Sequence, residues 1–535
     1  MEQRIPWPAL LILILGCFMA ILDSSIVNVA LPKLMAIFGV SADEIQWVMT
    51  AYLLTSGVVV PITGYLSDRF GGKTLYIFSL IVFTAGSGIC ALAWSNNTLI
   101  FARVLQAIGG GMIIPVSMGM IYLIVPREKM GVALGIWGIS AMMAPALGPT
   151  LGGYLVDNFG WPWIFTINLP IGVMAVLLSG ALLEETPRRT DLKPDILGTV
   201  LSTAACFAIL LALSQGQDRG WTSLYIVNLF IFAGFSFVLF VIWELTTPEP
   251  LIDIRLLRNR IFSLSLIATA MATVGMFAII FLMPIYVQTF RGLTPMQAGL
   301  LIMPMALVSG LMMPISGRLF DRFGAMPLCI AGFSVAAYYT YQLHHLTSYT
   351  SFSDLQWLLV KRAVGFGLAM MPMGTAGMNT IPKYLAARAA ALNNLVRQIA
   401  ASLGIAFTTY LMLNRQEYHT AWLKETVTGG SYTTISAVAK LQAAIVKLGM
   451  PPAVAAAGAK GVLVMAVQRE GFIAGMNDAV LVSALITLLI IPLGLFFSKR
   501  AVEEELEKQH RLFAHLAVPN HSRRTGPPEP GRREM

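Results

Sequence analysis

Residues 64–73 read Gly64-Tyr65-Leu66-Ser67-Asp68-Arg69-Phe70-Gly71-Gly72-Lys73 and lie between two long apolar segments. A degenerate copy, Gly317-Arg318-Leu319-Phe320-Asp321-Arg322-Phe323-Gly324, follows in the same kind of setting in the second half of the chain. A charged hinge repeated once between membrane-length segments points to two related halves in a bilayer.

Composition points the same way. The 535 residues are 56% hydrophobic and only 12% charged, against about 25% charged in an ordinary soluble domain. A water-soluble surface cannot be built from so few charges. The net charge of +9 is no nucleic-acid footprint, because the basic residues mark gaps between apolar segments or fall in the tail after Lys499. Cys17, Cys90, Cys206 and Cys329 sit within or at the edge of apolar segments and read as free buried thiols. Neither they nor the six histidines have metal-ligand spacing, and no nucleophile–base–orienter set stands out. Metal, cofactor and enzyme readings therefore fail, and so does a primary pump, for want of an ATPase domain.

Fourteen segments are long enough to span: 9–31, 45–67, 74–94, 99–124, 131–156, 161–183, 195–215, 222–244, 262–288, 296–317, 326–346, 354–378, 388–414 and 475–497. The first is expected to be a retained span, since no cleavage site closes a short apolar core. An even count puts both termini on one side. One set of short gaps carries Arg69, Lys73, Arg127, Lys129, Arg188, Arg189, Lys193, Arg255, Arg258, Arg260, Arg318, Arg322, Lys383 and Arg388. The other carries Lys33, Arg219 and Arg291, with Arg103, Lys361 and Arg362 near helix ends. The first set, and with it both termini, is expected in the cytoplasm.

The resulting fold is an all-α polytopic membrane protein with two six-helix bundles and two intervening helices. Its expected parts are a cytoplasmic N-terminus (1–8), an N-terminal bundle (9–183), two additional helices with charged linkers (184–260), a C-terminal bundle (261–498) and a cytoplasmic tail (499–535). The gap at 415–474 is expected as an outer loop. Its stretch Thr433–Leu448 has fair helical periodicity, which suits an amphipathic helix or hairpin on the outer face, or a partner-docking site.

Asp23 is the acid placed deep in a span, and such a group usually faces a polar interior or a transport path. It either takes up a proton and couples it to a conformational change, or is paired with Arg103 or a hydroxyl and only fastens helices. Arg103 is a charge relay or a snorkelling anchor, and Arg362 is its counterpart in the second half. Asn28, Gln106 and Asn168 line a cavity or bond across helices. Trp137 is an aromatic cavity candidate. Asn393, Asn394, Arg397 and Gln398 form a polar cluster early in the thirteenth span. Asp68, Arg69 and Lys73, with Asp321 and Arg322, form a gate or a turn that serves only topology. Gly135-Ile136-Trp137-Gly138 leads to Gly148-Pro149-Thr150-Leu151-Gly152-Gly153, a moving seam or an ordinary small-residue packing surface.

Four stretches together carry a resemblance. They are the Asp68-Arg69 hinge with its glycines, Arg103-Val104-Leu105-Gln106-Ala107-Ile108-Gly109, Gly148 to Gly153, and Leu22-Asp23-Ser24-Ser25-Ile26-Val27-Asn28-Val29-Ala30-Leu31-Pro32. In order, and with the span count, they resemble the fourteen-helix drug:proton antiporters of the major facilitator superfamily over residues 8–498. The resemblance implies Asp23 as coupling acid, Arg103 as the basic residue of proton exchange, the Gly148, Pro149, Gly152 and Gly153 segment as the alternating-access seal, and Asp68 at the cytoplasmic gate. Ala144, Gly72 and Met326 depart from the family pattern and put fine gating detail in question. The implied function is export of amphipathic small molecules or drugs, driven by the transmembrane proton gradient without a bound cofactor. The alternatives are a proton-coupled importer and a lipid flippase or exporter. Expected partners are the substrate, protons and membrane lipids, with a periplasmic adaptor if an outer membrane exists, and no nucleic acid. The expected place is the cell inner or plasma membrane. With Asp23 as the lone deep acid, neutral, zwitterionic or monocationic compounds are the expected cargo.

Overall fold

The computed structural model describes residues 6–126, 129–189, 194–247, 250–293, 295–382, 385–427 and 431–512. Arg127, Lys193 and Lys383, residues 1–5 of the expected N-terminus and residues 513–535 of the expected tail lie outside them, as does the side chain of Pro149.

The described chain is helical. We label α1 Trp7–Phe38, α2 Ala42–Phe70, α3 Gly72–Ala91, α4 Asn96–Ile124, α5 Met130–Asn158 and α6 Trp163–Leu182. Next come α7 Ile196–Arg219, α8 Leu224–Thr246, α9 Arg260–Arg291, α10 Pro295–Phe323, α11 Ala325–Gln342 and α12 Phe352–Asn379. The last are α13 Ala386–Thr426, α14 Tyr432–Lys447, α15 Pro452–Leu488 and α16 Lys499–Leu512.

Local chemistry sets the ends. Ser41 opens α2 with a capping box: its hydroxyl accepts the Glu44 N–H, and the Glu44 carboxylate accepts the Ser41 N–H at 2.8 Å. The two hinges turn on equivalent glycines. Gly71 follows Phe70 with φ 91° and Gly324 follows Phe323 with φ 85°, a region where a Cβ is strained. The repeat therefore preserves a backbone bend as well as its charges.

Among the described residues, eleven helices are long and apolar enough to cross a membrane, and α5, bent by 46° between Pro145 and Thr150, makes a twelfth. The expected fourteen is not reached on that criterion because α11 and α12 are more polar. The first ends in Tyr338-Tyr339-Thr340-Tyr341-Gln342 and the second carries Asp354, Lys361 and Arg362.

Helices α1–α6 pack among themselves, as do α9–α13 with α15. The two groups meet along two seams, α5 against α10 and α2 with α4 against α13. Helix α7 covers the second seam by packing on α2 and α13, and α8 packs on α7. At the hinge end one apolar cluster joins the groups, running from Leu10, Leu75 and Met120 to Phe262, Met378 and Leu385. At the opposite end each group keeps its own cluster, around Leu22 and Phe165 in the first and Leu282 and Leu359 in the second.

The expected outer loop at 415–474 is mostly helix. Helix α13 has 41 residues and α15 has 37, so at 1.5 Å per residue each is about 55–60 Å long. That is roughly twice the hydrocarbon thickness of a bilayer. The two run side by side, with Asp478 of α15 accepting from Arg415 of α13 at 2.5 Å and hydrogen-bonded to His419 at 2.9 Å. Helix α14, the expected amphipathic piece, packs on the start of α15.

Candidate functional site

Asp23 lies at mid-height, where the hinge-end cluster containing Ala20 gives way to the opposite cluster containing Leu22. Its carboxylate is fully buried and takes three donors. Arg103 donates through Nη1 to Oδ2 at 2.6 Å, and Gln106 and Asn168 donate to Oδ1 at 2.9 and 2.8 Å. Arg103 and Gln106 are three residues apart on α4 and so share a face. Arg103 Nη1 also donates to Gln106 Oε1 at 2.6 Å, and its guanidinium lies over the Tyr52 ring at 4.0 Å. Ser87 closes the knot by accepting from Gln106 at 2.6 Å and from Asn168 at 3.3 Å. Arg103 Nη2 and Asn168 Oδ1 have no partner. Three helices, α1, α4 and α6, are thus tied through one carboxylate, and the Ser87 hydroxyl brings in α3.

The second group repeats the arginine without the acid. Arg362 is equally buried. It donates to Thr340 Oγ1 at 3.0 Å and to the Gly275 carbonyl at 2.8 Å, and lies 4.4 Å from the Phe366 ring.

The hinges meet the opposite group. Asp68 Oδ2 accepts from Arg388 Nε of α13 at 2.8 Å. Asp321 Oδ1 accepts the backbone N–H of Gly131, in the first turn of α5, at 3.3 Å. One acid has found a basic residue and the other a helix N-terminus. The remaining hinge charges act within their own surroundings. Arg69 donates to Tyr65 at 2.7 Å, Lys73 donates to the Gly180 carbonyl at 2.8 Å, and Arg322 is exposed beside Phe323.

The expected seal is placed differently from the sequence reading. A Cβ at Gly148 or Gly152 meets Ser25 and Ile26 of α1, in the same group, and one at Gly153 meets nothing. Close approaches between groups are made by Gly131, Gly135 and Gly138 against Gly317, Met313 and Pro314 of α10, and by Gly64 and Gly119 against Arg388 and Ala387 of α13. Ser25 donates to the Pro145 carbonyl at 3.0 Å, which is the carbonyl that a proline at position 149 cannot serve. The Pro-Gly stretch therefore shapes the bend of α5 and its fit to α1.

Trp137 is a core residue and not a cavity wall, with its ring N–H directed at Cys17 Sγ at 3.2 Å. Asn28 is exposed and outside the knot. Asn393 and Asn394 are buried on α13. Gln398 reaches across the seam to the Leu53 carbonyl at 3.3 Å, and Arg397 lies close enough to Cys17 for its charge to act there. Glu244, in the last turn of α8, is as well buried as Asp23 but lies outside the knot. The reading from sequence overlooked Tyr52, Ser87 and the gate partner Arg388. Arg388 was visible only as one more topology charge.

The sequence pattern of the Major Facilitator Superfamily matches residues 13–405. The chain is 38% identical to the uncharacterized MFS-type transporter YhcA of Bacillus subtilis, over 77% of this chain and 78% of that one. It is 30% identical to the multidrug export protein EmrB of Escherichia coli, over 90% of this chain and 93% of that one. A solved structure of the proton:xylose symporter XylE superposes with a TM-score of 0.57 at 13% identity, covering 94% of this chain and 99% of that one, and this likeness speaks for the fold alone.

Proposed function

Because the chain belongs to the Major Facilitator Superfamily, we propose that it is a proton-coupled exporter of amphipathic small molecules that works by alternating access between two six-helix bundles, α1–α6 and α9–α13 with α15. Helices α11 and α12 also cross in this reading, which gives fourteen spans. The hinge end is cytoplasmic, as the excess of basic residues there implies. The carrying observation is that one apolar cluster crosses between the groups at the hinge end, beside a cluster of the second group alone around Ala325 and Phe497, whereas the clusters at the other end stay within one group each. This is the arrangement of a carrier closed to the cytoplasm and parted outside. The similarity to a multidrug export protein supports drug-like cargo.

In the proposed cycle Asp23 takes a proton from the outside. Arg103, Gln106 and Asn168 lose their common acceptor charge, the knot relaxes and cargo leaves. Removing one partner of a buried ion pair is worth about 3–5 kcal/mol, which is of the size needed to invert a two-state population. Opening inward then separates Asp68 from Arg388 and α5 from α10. The tall α13–α15 pair supports a further partner, a periplasmic adaptor, in a cell that has an outer membrane.

The test is pH-gradient-driven export of a cationic dye from proteoliposomes, comparing wild type with Asp23→Asn. The expected result is dye binding retained and gradient-driven export lost. Full proton-driven export by the variant would remove Asp23 from the mechanism.

A further inference from the structure

Helix α13 carries a charge deep in the protein that nothing balances. Arg397 stands nine residues after Arg388, the partner of Asp68, which places it about 14 Å further along the helix axis. That is close to half the hydrocarbon thickness of a bilayer. A guanidinium at such a depth is costly unless it faces a polar interior and finds a partner. Among the described residues Arg397 forms no ion pair and no hydrogen bond. The titratable group its charge reaches is the Cys17 thiol, and no carboxylate is near enough to offset it.

Two neighbours are in the same condition. Asn393 and Asn394, one turn nearer the hinge, are 3% and 8% exposed. Neither side-chain amide makes a hydrogen bond among the described residues, and a buried amide without a partner is costly. Gln398 differs, because its amide donates to the Leu53 carbonyl of α2.

Periodicity shows where these groups face. Ala386, Ala390, Asn393, Arg397, Gly404 and Thr408 recur at helical spacing and share one face. All but Arg397 are buried. The exposed apolar residues Leu403, Phe407 and Tyr410 lie on a different side of the helix. Arg397 therefore points inward. The inner face is covered on either side of it. Toward the hinge, Ala386 and Ala390 belong to the apolar cluster that crosses between the groups, and Leu392 and Val396 pack against that cluster. Further along, a Cβ at Gly404 would meet the backbone of Val274 of α9. Between these two levels Arg397 is only half-buried. An inward side chain that keeps part of its surface free fronts open space between the groups, directly above the floor where the crossing cluster ends.

The polar groups facing that space are rich in donors. A guanidinium presents a planar fork that matches a carboxylate with two parallel bonds, and each asparagine adds an NH₂ group. Asp23, the acid of the same interior, is already held by Arg103, Gln106 and Asn168. Free donors around one cation fit an anionic group, and the apolar floor beneath fits an apolar body.

We propose that Arg397, Asn393 and Asn394 form a cargo subsite that takes the carboxylate of an amphipathic organic acid. The anion site stands on the geometry, while its place in transport rests on the exporter reading. It extends the expected cargo from neutral, zwitterionic and monocationic compounds to organic anions. Arg397 supplies the charge and the fork, and the two amides hold the carboxylate from the hinge side. No bond in the cargo is made or broken.

The test is equilibrium binding at neutral pH of dansylglycine and of dansylglycinamide, its uncharged analogue, to the purified full-length protein in phosphatidylcholine nanodiscs. Wild type is expected to bind the carboxylate roughly tenfold tighter than the amide. Arg397→Gln is expected to lose this preference, and Arg397→Lys to keep part of it, because the charge remains and the fork does not. Equal affinities in wild type, or a preference that survives in Arg397→Gln, overturn the subsite. If Arg397→Gln does not fold, Asn393→Asp decides. It sets a carboxylate one turn from Arg397 and should cancel the preference from within, so an undiminished preference overturns the subsite. A repeat with phosphatidylglycerol in the discs separates cargo from lipid. A preference that persists supports the subsite, and complete displacement of dansylglycine makes it a lipid headgroup site and overturns the cargo assignment. The exporter reading fails separately. A protein that shows the preference but moves neither dansylglycine nor the cationic dye under a pH gradient keeps the anion site and ends that reading. One that exports the dye and shows no preference does the reverse.

Discussion

Arg103 and Arg362 stand at matching places in the two bundles, equally buried, and only one of them faces an acid. The helices that hold their partners are twins. Helices α1 and α9 each have 32 residues and each ends on a left-handed glycine, Gly39 and Gly292. At nearly the same depth α1 offers the Asp23 carboxylate and α9 offers the Gly275 carbonyl. A carboxylate can gain and lose a proton, whereas a peptide carbonyl stays an acceptor throughout. Under the proposed proton coupling, the difference gives the first group a tie that a proton can switch, with no counterpart at Arg362.

Unequal responses to removing the charges would sharpen that contrast. Asp23→Ala leaves the buried Arg103 charge without its counter-ion and takes from Gln106 and Asn168 one of their two acceptors, Ser87 remaining. A loss of about 3–5 kcal/mol of stability is expected, seen as a much lower unfolding midpoint of the purified protein. Arg362→Met strands nothing, because Thr340 still donates to the Ala336 carbonyl and Gly275 still accepts from Ser483. Its stability is expected to stay within about 1 kcal/mol of wild type. Equal losses would erase the contrast.

The hinges supply the next comparison. Asp68→Asn removes a charge-assisted bond across the seam, worth about 1.5–3 kcal/mol, while Asp321→Asn weakens the longer bond to the Gly131 N–H. Labels across the cytoplasmic seam should show more opening in the first variant than in the second. The reverse order would move the main latch to α5 and α10.

The smallest effect concerns a tie that exists on one side only. Glu185 is partly buried, which raises its pKa, but hydrogen bonds from Thr74, Arg188 and Thr186 outweigh this and hold it below its ordinary 4.5. Glu185 also accepts the Lys73 backbone N–H at 3.0 Å, which fixes the first hinge. A depressed carboxyl stabilises the fold above its unfolded pKa, and that contribution is lost as pH falls through the folded value. Thermal stability in mild acid should therefore fall slightly less steeply in Glu185→Gln than in wild type, from a slightly lower start at neutral pH. Parallel curves would show that the tie has no weight.

Much of this was legible in the chain. The hinge repeat is readable because a turn between membrane helices needs a glycine at positive φ and tolerates charge. Asp23, Arg103, Gln106 and Asn168 stand out because polar groups in apolar helices must find one another. What sequence hid were pairings set by packing across long separations. Arg388 looked like a topology charge because nothing local tells a loop basic residue from one that crosses a seam to Asp68. The glycines at 148, 152 and 153 matched a motif, but facing direction depends on the bend of α5, and in the structure Gly148 and Gly152 face α1 while Gly153 faces open space. The stretch 415–474 read as a loop because its polar residues lack a membrane pattern, although helix needs no membrane.

Helix α13 begins with Arg388, the partner of Asp68, in its first turn and ends at Thr426, 41 residues from its start and about twice as long as a span needs. It is therefore a lever arm. A tilt of about 10° at the Arg388 end sweeps the far tip sideways by roughly 10 Å over a helix of this length. With α15 strapped alongside through Asp478, the swing is carried by a stiff double rod. In the proposed cycle the tip would report the state of the Asp68–Arg388 pair at a distance, where a fluorophore or a bound antibody could follow each turnover.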